Sequence, residues 1–76
     1  INMPDLTFST QLTKLRKAKK LNQEQASELL GISRSTYANY EVGAREPNLA
    51  LLKKMAMVFG VSADYLLGLS DDPTRH

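Results

Sequence analysis

Residues 22–41, NQEQASELLGISRSTYANYE, decide the fold of this 76-residue chain. Asn22 is followed three residues later by Gln25, the pattern of a helix N-cap and its capping-box partner. Gly31 ends the helix that begins there, because glycine favours the left-handed conformation of a helix C-terminus. Ser33 is the next N-cap, so only the glycine and one further residue separate two helices. The stretch therefore predicts two short helices joined by a tight turn.

Outside this stretch the sequence predicts three more helices. Phe8, Leu12 and Leu15 recur at i, i+4 and i+7, which is one face of a helix. Alternating apolar runs and hairpin turns, the signals of strands, are nearly absent. We predict an all-α fold of five short helices around one core, covering about residues 7–19, 22–30, 34–41, 48–60 and 62–67.

The expected organisation is one small domain. Residues 7–68 form it, residues 1–6 are an N-terminal extension, and residues 69–76 are a tail that could begin a linker to a further domain. Hydrophobic residues make up 42% and charged residues 24%, an ordinary globular balance. The chain has no apolar run of the roughly 18 residues that a membrane span needs and no signal-peptide pattern. We expect a cytoplasmic protein without a membrane partner.

Composition also limits the chemistry. The absence of cysteine excludes disulfides, thiolate zinc sites and a cysteine nucleophile. His76 and the pair Asp71 and Asp72 fall in the predicted tail, so neither a general base nor a metal or catalytic pair is expected there. We predict no cofactor, no metal, no small-molecule substrate and no enzymatic activity, since the sequence lacks a nucleophile–base pair and a phosphate-binding glycine loop.

Positive charge is concentrated in the first half of the chain. The net charge is only +2, but residues 12–45 carry seven basic and three acidic side chains. This asymmetry is a weak indication of a polyanionic partner, and taken alone it favours a solvated helix face instead.

The third predicted helix presents two chemically different sides. At about 100° per residue, one side points inward and carries Tyr37, Tyr40 and Glu41. The opposite side is small and mostly polar and carries Ser35, Asn39 and Val42, with Arg34 at its N-terminal end. Arginine pairs with guanine and asparagine with adenine in the DNA major groove. Because a helix after so short a turn projects from the body of the protein, this side suits DNA; a merely solvated surface is the alternative.

The chain also resembles a known family, the Cro/cI (Xre-type) helix-turn-helix domains of phage repressors and bacterial regulators. The resemblance covers residues 15–68 and is carried by several motifs at family spacing: Leu21-Asn22-Gln23-Glu24, Leu30-Gly31-Ile32-Ser33, Tyr40-Glu41-x-Gly43, Pro47 and Phe59-Gly60-Val61-Ser62. It implies a lambda-repressor-like domain. Two departures, Ala26 in place of a large aliphatic residue and Ser27 in place of alanine, lead us to expect looser packing there.

The resemblance also implies the roles of individual residues. The positions that face DNA bases are Ser33, Arg34, Ser35 and Asn39. The positions that contact phosphates are Asn22, Gln23, Thr36 and Arg45. Lys17 is a further candidate that the resemblance does not supply, and its position favours a solvated helix end over a phosphate contact. Arg16 and Glu41 match a family ion pair that ties the first helix to the third.

Together these observations predict a sequence-specific double-stranded DNA-binding regulator, most simply a repressor that occludes a roughly palindromic operator. We expect a weak homodimer that is strengthened on DNA, with a dimer surface among Met57, Val58, Leu66, Leu67 and Leu69. The alternative is a protein-interaction adaptor on the same fold, such as an antitoxin or co-regulator. Such an adaptor should carry large apolar anchors on the projecting helix, where this chain offers only Val42.

Overall fold

The computed structural model describes residues 7–69 and confirms five helices in the predicted order. They are α1 (Phe8–Ala18), α2 (Gln23–Leu30), α3 (Arg34–Glu41), α4 (Leu49–Phe59) and α5 (Ala63–Leu66). Helices α1, α2, α4 and α5 are each one or two residues shorter than the predicted ranges, and α3 has the predicted bounds. The predicted N-terminal extension, residues 1–6, and most of the predicted tail, with Asp71, Asp72 and His76, lie outside the described residues.

Each helix begins at a side-chain cap. The caps are Thr7, Asn22, Ser33, Asn48 and Ser62, and each accepts a hydrogen bond from the backbone N–H three residues later. Asn22 and Gln25 form the complete predicted capping box, with Gln25 N donating to Asn22 Oδ1 at 2.7 Å and Asn22 N donating to Gln25 Oε1 at 2.9 Å. At the other end of α2, Gly31 takes the predicted left-handed conformation, with φ 70°. The tight turn of the sequence is therefore built as expected.

The connection between α1 and α2 contains a feature that the sequence did not indicate. Lys20 has φ 58°, the only positive φ at a non-glycine position among residues 7–69. A side chain with a Cβ is disfavoured there by roughly 1–2 kcal/mol. The chain accepts this conformation because it turns the backbone sharply after α1, where no glycine is available.

A single hydrophobic core lies between the helices. It comprises Leu12, Ala26, Leu30, Tyr37, Tyr40, Leu52, Met55, Ala56, Phe59, Val61 and Leu66. Helix α3 packs on both α1 and α2, and α4 packs on α2 and α5. This arrangement leaves one side of α3 outside the core. Within the described part of the chain, no helix has the length and apolar character needed to cross a membrane.

The two small residues at the middle of α2 lie in the interior of the domain. Ala26 is fully buried and Ser27 is only 3% exposed. Ser27 Oγ donates to the carbonyl oxygen of Glu24 at 2.7 Å, so its hydroxyl is satisfied within the helix. Both positions that depart from the family pattern are therefore buried, with the one polar group among their side chains hydrogen-bonded.

Candidate nucleic-acid interface

The outward side of α3 is polar, as its helical period predicts. Tyr37 and Tyr40 are buried in the core, whereas Arg34 and Ser35 are exposed and Asn39 is half-buried. This side thus carries one long cationic side chain and two small polar ones, and it ends at Val42, the C-cap, which is 74% exposed. Donors and acceptors of this kind match the edges of base pairs in a major groove.

The two ends of α3 are held by hydrogen bonds of different kinds. At its start, Thr36 N donates to Ser33 Oγ at 3.1 Å, and Ser33 Oγ donates to Thr36 Oγ1 at 2.7 Å. Because the Ser33 hydroxyl serves the cap, it has less capacity for a base than Ser35 has. At its end, the carbonyl oxygen of Asn39 accepts from Ala44 N at 2.9 Å and from Arg45 N at 3.3 Å. These two bonds fix the loop that carries the exposed Arg45.

Beside α3, the start of α2 opens onto a polar notch. Its lining is Arg16, Asn22, Gln23, Glu24 and Arg34. The fold thereby brings two of the predicted phosphate-contacting residues next to one predicted base-reading residue. Asn22 uses its carbonyl oxygen for the cap, and its NH₂ group faces away from that bond. Lys17 and Arg45 are exposed but do not line the notch.

The predicted pair of Arg16 and Glu41 is formed, and its arginine lines the notch. Arg16 Nε donates to Glu41 Oε2 at 2.6 Å, and Arg16 Nη2 donates to Glu41 Oε1 at 3.3 Å. Arg16 Nη1 donates to the carbonyl oxygen of Leu21 at 2.7 Å. The side chain of Arg16 is 13% exposed and that of Glu41 is 5% exposed. The pair thus ties α1 to the end of α3 and to the α1–α2 connection.

Gln23 joins the pair, a contact that the sequence did not reveal. Its Nε2 donates to Glu41 Oε1 at 3.1 Å. The two residues are 18 positions apart, and no local pattern links them. Glu41 Oε1 therefore accepts from both Arg16 and Gln23.

The protonation states of this cluster follow from burial and from these hydrogen bonds. Burial by itself would raise the pKa of Glu41, but the hydrogen bonds from Arg16 and Gln23 and the charge of Arg16 outweigh it and hold that pKa below its ordinary value. Burial raises the pKa of Tyr37 far above that of a free tyrosine. The Tyr37 hydroxyl faces the pair but has no partner in hydrogen-bond geometry. At neutral pH Glu41 is thus an anion and Tyr37 is neutral.

The predicted dimer surface needs one correction. Leu66 is fully buried in the core of the monomer, so it cannot contact a second copy. Val58 is half-buried and packs against the core. Met57 at 64%, Leu67 at 44% and Leu69 at 76% exposure are accessible. Met57 also lines a cleft between α4 and α5.

Comparisons with known proteins agree with this geometry. A family model described as Helix-turn-helix matches residues 12–66. The uncharacterised HTH-type transcriptional regulator YobD of Bacillus subtilis is 46% identical over 66 residues, which are 87% of this chain and 59% of that protein. The chain spans 49% to 59% of the length of four curated relatives that it matches.

Two solved structures extend the likeness to the whole arrangement of helices. The restriction-modification controller protein C.AhdI of Aeromonas hydrophila is 33% identical and covers 80% of this chain and 92% of its own, with a TM-score of 0.73. The P22 c2 repressor protein, in complex with a synthetic operator, is 25% identical and covers 84% of this chain and 97% of its own, with a TM-score of 0.79.

Proposed function

Since the chain belongs to the helix-turn-helix family of the Cro/cI type, we propose that it is the sequence-specific, double-stranded DNA-binding domain of a prokaryotic or phage transcriptional regulator. The observation that carries this proposal is the polar outward side of α3 next to the notch at the start of α2. A helix in a major groove reads bases, while neighbouring groups on the phosphates set its position. The chain offers both kinds of group side by side.

In this proposal Arg34, Ser35 and Asn39 contact bases, and Ser33 contributes mainly as the cap that presents them. The NH₂ groups of Asn22 and Gln23 contact phosphates at the start of α2, where unpaired backbone N–H groups also favour anions. Thr36 borders the backbone, and Arg45 and Lys17 approach flanking phosphates. No cofactor takes part, and the cytoplasm is the corresponding location.

We further propose that the regulator acts as a repressor by occluding its operator. Two copies place their α3 helices in successive major grooves, about 34–36 Å apart, over a roughly palindromic site. Within the predicted dimer surface, Met57, Leu67 and Leu69 are exposed and would be buried by a second copy, with Val58 at their margin. The P22 c2 repressor, similar to this chain in fold, is itself bound to an operator in its structure.

The test begins with selection of bound sequences from a random duplex pool, which identifies the operator. Affinities of variants are then measured on that operator and on random DNA. Arg34→Ala and Asn39→Ala should each lose about 1–3 kcal/mol on the operator and little on random DNA, because each removes a base contact. Gln23→Ala should weaken both alike, because phosphates carry no sequence information.

Two results would contradict the proposal. Equal losses on operator and random DNA for Arg34→Ala and Asn39→Ala would remove their base-reading role. No enrichment of any sequence, together with binding that does not weaken as salt rises, would exclude DNA as the partner. The adaptor function would then become the better explanation.

A further inference from the structure

The carboxylate of Glu41 is shared between Arg16 and Gln23, and both of these residues line the notch at the start of α2. Its Oε2 accepts from Arg16 Nε at 2.6 Å, and its Oε1 accepts from both Arg16 Nη2 and Gln23 Nε2. With 5% of its side chain exposed, Glu41 is too deeply placed to contact DNA itself. Any effect that it has on DNA binding must therefore pass through a neighbour.

Gln23 is the neighbour that can transmit such an effect. It is the first residue of α2, it is half-buried, and it lines the notch. A glutamine amide can present either its carbonyl oxygen or its NH₂ group in a given direction. An ionised carboxylate can only accept hydrogen bonds, so the amide must turn its NH₂ group, and not its carbonyl oxygen, towards Glu41. One N–H points to Glu41, and the second N–H remains for an anion in the notch.

We propose that Glu41 is a positioning residue of the DNA interface, which holds the amide of Gln23 in the orientation that donates to a DNA phosphate. This inference rests on the proposed function. Its consequence is that the last residue of α3 sets the phosphate contact of α2. The helix that reads bases and the residue that sets its position on the backbone are thus fixed relative to one another by one carboxylate, itself held in place by Arg16.

The test is a double-mutant cycle on DNA affinity. Glu41→Asp keeps the negative charge but withdraws the carboxylate by one methylene from both Arg16 and Gln23, so the stability of this variant is measured beside its affinity. Losing the preorganisation of one polar side chain should weaken binding by about 2- to 10-fold. We expect Gln23→Ala and Glu41→Asp each to weaken binding to operator and to random DNA by this factor. The double variant should be no weaker than the weaker single variant, since both changes remove the same contact.

Controls separate positioning from a general loss of structure. Glu28→Asp makes the same chemical change at an exposed position of α2 and should leave affinity unchanged. Urea unfolding establishes that every variant is folded under the binding conditions. In the unaltered protein without DNA, the Gln23 side-chain NH₂ signals in ¹H–¹⁵N spectra should move with the titration of the Glu41 carboxylate, a response that a purely structural role of Glu41 does not require.

The outcomes are distinguishable. Suppose that the wild-type protein binds DNA and that the affinity losses of the two single variants multiply in the double variant. This result would overturn the inference and leave the proposed function intact. Gln23 amide signals that do not follow Glu41 would also overturn it, even if Glu41→Asp proved too unstable for binding measurements. Failure of the wild-type protein to bind any duplex would overturn the proposed function and the inference with it.

Discussion

Replacing Glu41 with alanine should destabilise the fold well beyond an ordinary surface change. The substitution leaves the Arg16 guanidinium without its two bonds to the carboxylate, and Gln23 without its acceptor. Breaking a buried pair costs about 3–5 kcal/mol, whereas an exposed pair is worth about 0–1 kcal/mol. Both side chains of the pair are mostly buried, but the domain measures only 24 Å along its shortest axis, so water lies near the pair and screens its charges. We therefore expect a loss of about 2–3 kcal/mol, below the fully buried range.

That loss is a large part of the total free energy of unfolding of a chain of this size. At roughly 0.05–0.15 kcal/mol per residue, the whole free energy of unfolding is about 4–11 kcal/mol. A change of about 2–3 kcal/mol should lower the melting temperature by about 10–20 °C in a domain this small. Urea unfolding of the wild type, Arg16→Ala, Glu41→Ala and the double variant at low temperature measures the coupling between the two residues.

The reasoning requires the two single losses to overlap. The double variant should lose at least about 1 kcal/mol less than the sum of the single variants, because the pair is broken only once. Glu28→Ala on the exposed face of α2 is the control and should stay within about 0.5 kcal/mol of the wild type. Additive losses within about 0.5 kcal/mol would refute the reasoning, since they would mean that the pair does not form in solution.

Three further predictions concern the pH, the backbone and the assembly. The pKa of Glu41 is held below its ordinary value of 4.5. The stability that Glu41 contributes is therefore complete above pH 4.5 and is lost as the pH falls through the lower pKa of the folded state. Urea unfolding at a series of pH values should show this loss of free energy of unfolding in the wild type and not in Glu41→Gln. At Lys20, glycine should be more stable than alanine by about 1 kcal/mol in thermal unfolding, whereas at the neighbouring Lys19, with φ −89°, glycine should have no such advantage. Sedimentation should show a monomer or a weak dimer without DNA and two copies on a full operator; one copy at saturation would contradict pairing on DNA.

The capped helices could be predicted from the sequence because their determinants are local. An N-cap such as Asn22 or Ser33 bonds to a backbone N–H only three residues away, so residue spacing alone indicates it. The inward side of α3 could also be predicted from the sequence, since the helical period places Tyr37 and Glu41 on the same side. These two kinds of regularity are sufficient for the order of helices and for the outward polar side.

The remaining features depend on how the helices cross. The bond from Gln23 to Glu41 needs the start of α2 to meet the end of α3, and spacing along the chain does not contain that information. Lys20 was missed for a different reason. Without a glycine or asparagine at that position, nothing in its residue type indicates a left-handed conformation, which is set by the path between α1 and α2.

Leu66 shows where the sequence does not separate buried apolar residues from exposed ones. Helix α5 has only four residues, so it has no period from which an inward side can be read. The structure buries Leu66 completely and leaves Leu67 44% exposed, with Leu69 exposed beyond them. The accessible apolar residues of α4 and the α5 region are not among those assigned to DNA contacts on α3, Arg34, Ser35 and Asn39. In the proposed assembly a second copy and a DNA duplex would therefore use different side chains.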